Sequence, residues 1–558
     1  MIDRAPAASL ATHTVANQPP DFAPRDLWRT DPVLRDAVRR EGAGRAADRL
    51  AALGAEAGSD RVMELGEQAN RHPPLLRSFD RFGHRLDEVE FHPAYHALME
   101  LAFRHRLHAV PWTADRRGGH VAHAAMGYML TQAEAGVLCP VAMTYAAVPV
   151  LRRQPELAAA WLPRILSDRY DPRFLPAGEK TGCTIGMAMT EKQGGSDVRA
   201  NTTQARPCGA GGPGGDYVLT GHKWFCSVPM SDAFLTLAQA GRGLSCFLVP
   251  RWRPDGTRNP FRIQRLKDKL GNRSNASAEI EYDGTWAVLV GEEGGGVPTI
   301  IDMVHHTRLD CSSAAAGLMR AAVARALHHA THRMAFGRAL VRQPLMRAVL
   351  ADLALESEAA VALVLRVARA FDDGEADPQG RAFARLAVAV TKYWITKRCP
   401  ALVYEALECH GGNGYVEDGG MPRLYREAPL NAIWEGSGNV ICLDVLRTLH
   451  KEPAALAGLE SELAAAGGLD GRFDDWVRRT REMLAGLLAD PREGEGQARR
   501  LVERLALALQ AGLLLRHAPP AIAEAFCASR LGGDWGHAFG TLPPEADGDA
   551  ILDRAVEA

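Results

Sequence analysis

The chain has no C-x-x-C pair, and its ten cysteines stand singly between Cys139 and Cys527. That spacing excludes a disulfide framework and a zinc-ligand cluster, and it fits reduced thiols in a cytosol. A signal peptide is also missing, because Asp3 and Arg4 open a mixed polar N-terminus without an apolar core. No uninterrupted apolar run is long enough to cross a bilayer; even the stretch from Ala359 to Ala368 is broken by Arg366. The expectation is a cytoplasmic protein. Charge of one sign is lacking as well: 65 Lys and Arg against 67 Asp and Glu leave −2, so the whole chain makes no electrostatic case for nucleic acid or membrane. There is no repeat of solenoid period and no strand–helix alternation, which excludes a doubly wound parallel sheet.

At 558 residues the chain is too long for one core and should divide into several domains. Residues 1–180 read as a Pro- and Ala-rich arm followed by helices, with apolar residues at three- and four-residue spacing from Ala94 to Leu107 and from His120 to Leu138. Over 181–295 the period falls to two. Tyr217 to Thr220, Ala233 to Leu237, Ser245 to Val249 and Ala278 to Tyr282 predict short strands of a compact antiparallel barrel or sandwich. Residues 296–446 are helical again, with long amphipathic segments at Ile300–Phe336, Gln343–Phe371 and Arg381–Cys409, enough for a bundle. Residues 447–558 form a tail with helices expected at Ala455–Ala466, Phe473–Leu488 and Gln497–Leu515. The fold class is therefore mainly α with an inserted β-barrel.

Two distant stretches suggest one site. In Ala188 to Val198, Thr190 and Ser196 flank Gly194-Gly195 after an apolar run; glycines let backbone approach a ligand, and amides with hydroxyls suit phosphates or a polar ring edge. In Trp434 to Asn439 a carboxylate, Glu435, stands between an aromatic and glycines. Glu435 is either a partly desolvated general base with a raised pKa or an ordinary turn glutamate. Trp224 to Ser227 either stacks on and hydrogen-bonds a planar cofactor or packs inside the barrel.

Other signals carry less. Gly209 to Gly214 satisfies G-x-G-x-x-G, but Pro213 lies inside it and a strand follows, so a hairpin loop is expected rather than a dinucleotide site. His328 and His332 have the i, i+4 spacing of metal ligands without the H-E-x-x-H glutamate or a third ligand, so no metal is expected.

The segments A-M-T-E-K-Q-G-G-S-D-V, G-H-K-W-F-C-S, H-R-M-A-F-G with Gln343, G-G-N-G-Y and W-E-G-S-G-N occur in the order used by acyl-CoA dehydrogenases, which the chain resembles. More narrowly, K-Q-G-G-S-D, L-K-D-K-L-G-N-R-S-N-A-S and I-W-E-G-S-G-N-V-I-C-L-D-V-L-R resemble the AidB-type alkylation-response flavoproteins of that family. The resemblance covers roughly residues 12–449. It implies an N-terminal helical domain, a middle β-barrel and a C-terminal helical bundle, here with an extra helical tail domain, assembled as a homotetramer that binds FAD. It places Met189, Thr190, Ser196, Trp224, Phe225, Cys226 and Ser227 around the flavin, with Cys226 and Ser227 at its polar edge. Arg333, Gln343, Gly411 and Gly412 would reach the FAD of a neighbouring subunit, and Ile433, Trp434, Gly436, Ser437 and Asn439 would close the pocket. Glu435 falls on the family's catalytic base and Arg308 on an arginine beside the substrate thioester of an acyl-CoA. Where many relatives carry an acidic residue just before that arginine, this chain has His305-His306, which implies weak turnover.

The same resemblance implies binding and protection of double-stranded DNA, with Arg447 on a DNA-contacting position. The tail itself argues the other way: residues 447–558 hold 13 Lys and Arg against 18 Asp and Glu, an acidic excess of five. Arg478, Arg479, Arg481, Arg499, Arg500 and Arg504 could form a basic stripe, yet Asp474, Asp475, Glu482 and Glu503 interleave them as on a solvated helix face.

Overall fold

The computed structural model describes residues 6–113, 117–374, 376–489, 491–533 and 535–555. An irregular arm leads to seven helices: α1 (Pro32–Arg40), α2 (Ala47–Ala57), α3 (Asp60–Arg71), α4 (Pro93–Arg104), α5 (Gly119–Ala133), α6 (Leu138–Leu151) and α7 (Pro155–Ile165). Asp31 starts α1 by accepting the Leu34 N–H, with Pro32 at the first helical position, where its missing N–H costs nothing. A small hairpin, β1 (Leu75–Phe79) and β2 (Arg85–Glu90), interrupts the set. Every residue of α5 is buried and α6 is apolar on nearly all sides, so these two helices form the centre of the domain.

The barrel holds β3 (Ile185–Ala188), β4 (Gln204–Pro207), β5 (Asp216–Ser227), β6 (Ala233–Ala240), β7 (Gly243–Pro250), β8 (Phe261–Leu266) and β9 (Ser277–Val290). Neighbours run β6-β4-β5-β9-β7, and β7 pairs back with β6, so the sheet closes on itself. One expectation is corrected: β3 pairs with β6 in parallel, because the β4–β5 hairpin lies between them in sequence and acts as the crossover a parallel pair needs. The Gly209 to Gly214 run is the loop of that hairpin.

The bundle is built on three long helices, α8 (Gly296–His332), α9 (Pro344–Gly374) and α10 (Pro378–Glu408). α8 stops short of Phe336 because Phe336 and Gly337 both take positive φ, +50° and +79°, in a tight hairpin between β10 (Met334–Ala335) and β11 (Arg338–Ala339). α10 begins at a cap in which Asp377 accepts the N–H groups of Gln379 and Gly380. α11 (Met421–Glu427) and α12 (Gly438–Lys451) complete it.

The tail adds α13 (Pro453–Ala464), α14 (Gly471–Ala489), α15 (Pro491–His517), α16 (Pro520–Phe526) and α17 (Gly548–Ala555). α13 packs on α10, α15 on α12, α9 and α10, and α17 on α9, in a hydrophobic core continuous with the bundle. Arg530, fully buried, reaches Asp352 (2.5 Å) and Glu356 (3.0 Å) on α9, while Arg398 of α10 holds the other side of Glu356.

Candidate active site

The barrel side of the site rests on a buried ion pair. Glu191, next to Thr190, accepts from Lys223 Nζ (2.9 Å), from the N–H groups of Thr202 and Thr203, and from both their hydroxyls. Burial alone would raise its pKa; Lys223 and these donors hold it well below the carboxylate range. The backbone on either side is fixed as well, since the Trp224 N–H donates to Thr190 O (2.8 Å) and the Asn201 side chain to Met189 O (3.0 Å). A Cβ on Gly195 would collide with the Thr190 side chain, so the hydroxyl loop closes only over glycine. Ser196 is exposed on that loop.

Strand β5 distributes its four site residues unequally. Phe225 is half-exposed, while the Trp224 ring lies under the Lys267 ammonium, 3.2 Å from its centroid. Cys226 is turned into the barrel and fully buried, its thiol pushed up by burial, so it does not stand at a polar edge; Ser227 alone is left there. Ser227 bonds the thiol of Cys139 on α6, and that thiol lies within electrostatic range of Glu435. The barrel edge, α6 and the Glu435 loop therefore meet around Cys139.

Glu435 has φ +57°, a left-handed conformation that costs a non-glycine residue roughly 1–2 kcal/mol. Its carboxylate accepts the Thr307 hydroxyl of α8 at 2.6 Å. Burial pushes its pKa up, against the pull of the Thr307 hydrogen bond and of Lys392 and Arg308. The loop is held by its carbonyls. Lys392 Nζ donates to Trp434 O (2.8 Å) and Gly436 O (2.5 Å), and Arg308 Nε donates to Glu435 O (3.2 Å). Arg308 also pairs with Asp444 at 2.7 Å and is buried. Its guanidinium thus ties the loop to α12. Trp434 is fixed by its own indole N–H, donated to Asn431.

The two histidines before Arg308 are both neutral. His305 is lowered to about 3 by burial beside Arg308 and Arg385, and burial also pushes His306 well down, enclosed by Trp112, Tyr145 and Phe371. The negative charge next to Arg308 comes from Asp444 of α12 instead, 136 residues further along the chain.

Ile433, Ser437 and Asn439 are exposed at the start of α12, and Asn439 accepts from Arg499 of α15. Arg333, Gln343, Gly411 and Gly412 lie elsewhere. Thr307 and His332 are 25 residues apart on one helix, about 38 Å at 1.5 Å per residue. Arg333 follows His332 and bonds Asn17 O, Gln343 bonds Ala335 O, and Gly411 follows His410, whose ring lies 4.7 Å from that of His329. These four form a second cluster at the far end of the bundle. Phe336 (96% exposed), Leu345 and Tyr415 stand beside it as bare apolar surface. His328 donates its Nε2–H to Pro20 O, and no metal-binding group of side chains occurs among the described residues.

Sequence reasoning did not single out Thr307, Lys392, Asp444, Glu191 or Lys223. Lys392 had a signal: it is the one charge in the run from Leu386 to Ile395. Glu191 and Lys223 each adjoin a motif residue. Thr307 and Asp444 had none, because only the packing of α8 and α12 brings them to the loop.

Three family profiles match the chain: the adaptive response protein AidB N-terminal domain over residues 17–172, the acyl-CoA dehydrogenase middle domain over 186–285 and the acyl-CoA dehydrogenase C-terminal domain over 294–450. The AidB protein of Escherichia coli (strain K12) is 46% identical over 518 residues, covering 92% of this chain and 94% of that protein. Acyl-CoA dehydrogenase family member 11 of Caenorhabditis elegans is 30% identical, over 83% of this chain and 76% of its own. The crystal structure of Caenorhabditis elegans ACDH-11 in complex with C11-CoA superposes with a TM-score of 0.83 at 27% identity, covering 94% of this chain and 93% of that one.

Proposed function

Because the chain belongs to the acyl-CoA dehydrogenase family and shares the AidB-type N-terminal domain, we propose that it dehydrogenates acyl-CoA thioesters between the α and β carbons with FAD, Glu435 being the base. The observation that carries this reading is the Glu435 loop: a desolvated carboxylate, bonded to Thr307 and aimed by three gripped carbonyls. The residues fit FAD. Phe225 offers an aromatic face, Thr190 and Ser196 offer hydroxyls around a glycine loop, and the exposed start of α12 offers N–H groups. When bound, the flavin supplies the hydride acceptor. Glu435 takes the α-proton, and its raised pKa suits it to that task. The peptide between Trp434 and Glu435 is planar and trans, so a carbonyl turned to Lys392 turns the Glu435 N–H to the opposite side. That N–H has no acceptor among the described residues, leaving it free to stabilise charge growing on the thioester oxygen.

The substrate class is a short branched acyl-CoA such as isovaleryl-CoA, turned over slowly; the C11-CoA held by the Caenorhabditis elegans relative supports an acyl-CoA as ligand. Anaerobic mixing with isovaleryl-CoA tests it: bleaching of the flavin is the expected result, and no bleaching over minutes rejects that substrate.

The assembly is a homotetramer, supported by the second cluster, which lies too far from Glu435 to serve it within one chain. The cellular site is the cytoplasm, supported by ten free cysteines. The partner beyond the thioester is double-stranded DNA, shielded from alkylation. It is supported by the AidB-type resemblance and by Arg447, which projects from α12 and, among the described residues, forms an ion pair with Asp444 alone, at 3.9 Å.

A further inference from the structure

Lys392 is fully buried in the middle of α10, between Thr391 and Tyr393 in a stretch where every residue from Leu386 to Thr396 is buried. A buried ammonium normally keeps a carboxylate within salt-bridge distance. This one does not, among the described residues. Its two hydrogen bonds go to the carbonyls of Trp434 and Gly436, the residues immediately before and after Glu435. The intervening carbonyl, that of Glu435, is taken by Arg308. Three successive carbonyl oxygens are therefore held by two buried cations, and the residue between the two lysine bonds is the one with the left-handed backbone.

Such a backbone persists only where its surroundings over-determine it. Gly436, at φ +100°, gives the loop room to turn, and Thr307 holds the end of the Glu435 side chain, but neither fixes the peptide planes. Lys392 fixes the plane that carries the Glu435 N–H and the plane after Gly436, and Arg308 holds the plane between them. We propose that Lys392 is a positioning residue for proton abstraction: its ammonium staples the Trp434 and Gly436 carbonyls, which orients both the Glu435 carboxylate and the Glu435 N–H toward one substrate position. The inference rests on Glu435 being the base.

The groups facing Lys392 decide how pH acts on it. Cys311 and Arg308 face it from α8, Glu435 from the loop, and Lys397 from its own helix; burial, with Arg308 and Lys397, outweighs Cys311 and Glu435 and brings it down to about 8. The ammonium thus loses its proton near pH 8, where the staple weakens.

The test uses the full-length protein loaded with FAD and the substitution Lys392→Met, which keeps length and removes the donors. The expected result is retained flavin, a kcat lower by about 100-fold with KM changed by less than about threefold, as for a misplaced catalytic group. The pH profile adds a readout that a merely structural role does not move: the wild type should lose activity above about pH 8, and Lys392→Met should keep the acid limb set by Glu435 but lose that alkaline limb. Unchanged kcat, or an alkaline limb that survives in the variant, overturns the proposal. Hydrogen–deuterium exchange of residues 433–437 reads the staple without any turnover. In Lys392→Met these amides should exchange faster while α8 and α10 keep their protection; equal exchange overturns the staple. Should the variant not fold, the wild type carries the same test, since exchange of 433–437, corrected for the intrinsic effect of pH, should accelerate above about pH 8. A protein that turns over no acyl-CoA yet shows these exchange changes refutes the dehydrogenase reading and leaves the staple standing.

Discussion

Glu435 bears two costs together, a left-handed backbone and a carboxylate kept from water, and both are the kind of cost found where chemistry is done. Its folded pKa is raised, so folding favours the protonated form: that contribution to stability is present below the ordinary glutamate range and is lost as pH rises through the raised value. Above that raised value the ionised side chain burdens the fold. Glu435→Gln should keep flavin and melt no lower than the wild type at pH 7, while dehydrogenation falls by about two to four powers of ten. Residual turnover near the wild-type rate removes Glu435 from its role. In the wild type, kcat/KM should rise with pH through a value above that of a free glutamate. Glu435, Thr190 and Ser196 could be singled out in the sequence because each sits in a short segment whose glycines and hydroxyls suit ligand contact. Their supports were not, because Thr307, Asp444 and Lys392 come from three different helices and only packing brings them to the loop. Arg308 shows the limit from the other side: its position was legible, its use was not, since nothing local says that Asp444 and a carbonyl will claim it.

Among the elements, the change of period from 3.6 to 2 and back marked the barrel between its helical neighbours; β5, β6, β7 and β9 lie where alternation placed them, while β4 and β8 were not read from it. Parallel pairing of β3 with β6 was not legible, because register and partner are set by closure of the sheet and not by the alternation of one strand. The tail helices were legible as helices, yet an apolar stripe names no partner, and their union with α9 and α10 had to be seen. Arg530 is the pivot of that union. It links the segment after α16 to Asp352 and Glu356 inside α9, all three nearly or fully buried. Arg530→Met should leave the Asp352 carboxylate without its cation and cost about 3–5 kcal/mol, read as a fall in the thermal midpoint with the tail loosening first in hydrogen exchange. A midpoint within about a degree of the wild type contradicts that account. Glu356 adds a pH signature. Burial would raise it, but Arg398 and Arg530 hold it down to about 2, so its contribution is present above the ordinary value of 4.5 and is lost as pH falls toward 2. In Arg530→Met this acid sensitivity should shift to higher pH.

At the scale of the whole molecule, charge decides how DNA can be held. The chain carries −2 and its tail an acidic excess of five, so no broad positive field draws a polyanion. The tail arginines are largely spent: Arg478 pairs with Asp475 and Glu482, Arg479 with Asp475, Arg481 with Glu460, and Arg504 lies over Trp476 at 3.9 Å. What remains is local. Arg447, 62% exposed and weakly paired, must be brought beside its copies by assembly if it is to act with any strength. Each phosphate neutralised lowers the slope of log K against log salt by about 0.9. A handful of arginines gathered from several subunits therefore predicts a shallower salt dependence than a basic domain shows, but a measurable one. Binding of random-sequence duplex between about 50 and 200 mM salt should weaken by about 10- to 150-fold in the wild type for two to four engaged subunits, and Arg447→Ala should flatten the slope by about one unit per subunit engaged. Weak binding already at the lowest salt removes DNA as a partner. A slope unchanged in Arg447→Ala keeps the partner and moves the contact elsewhere, and flavin content measured beside it checks the clamp, because Arg447 and Arg308 share Asp444.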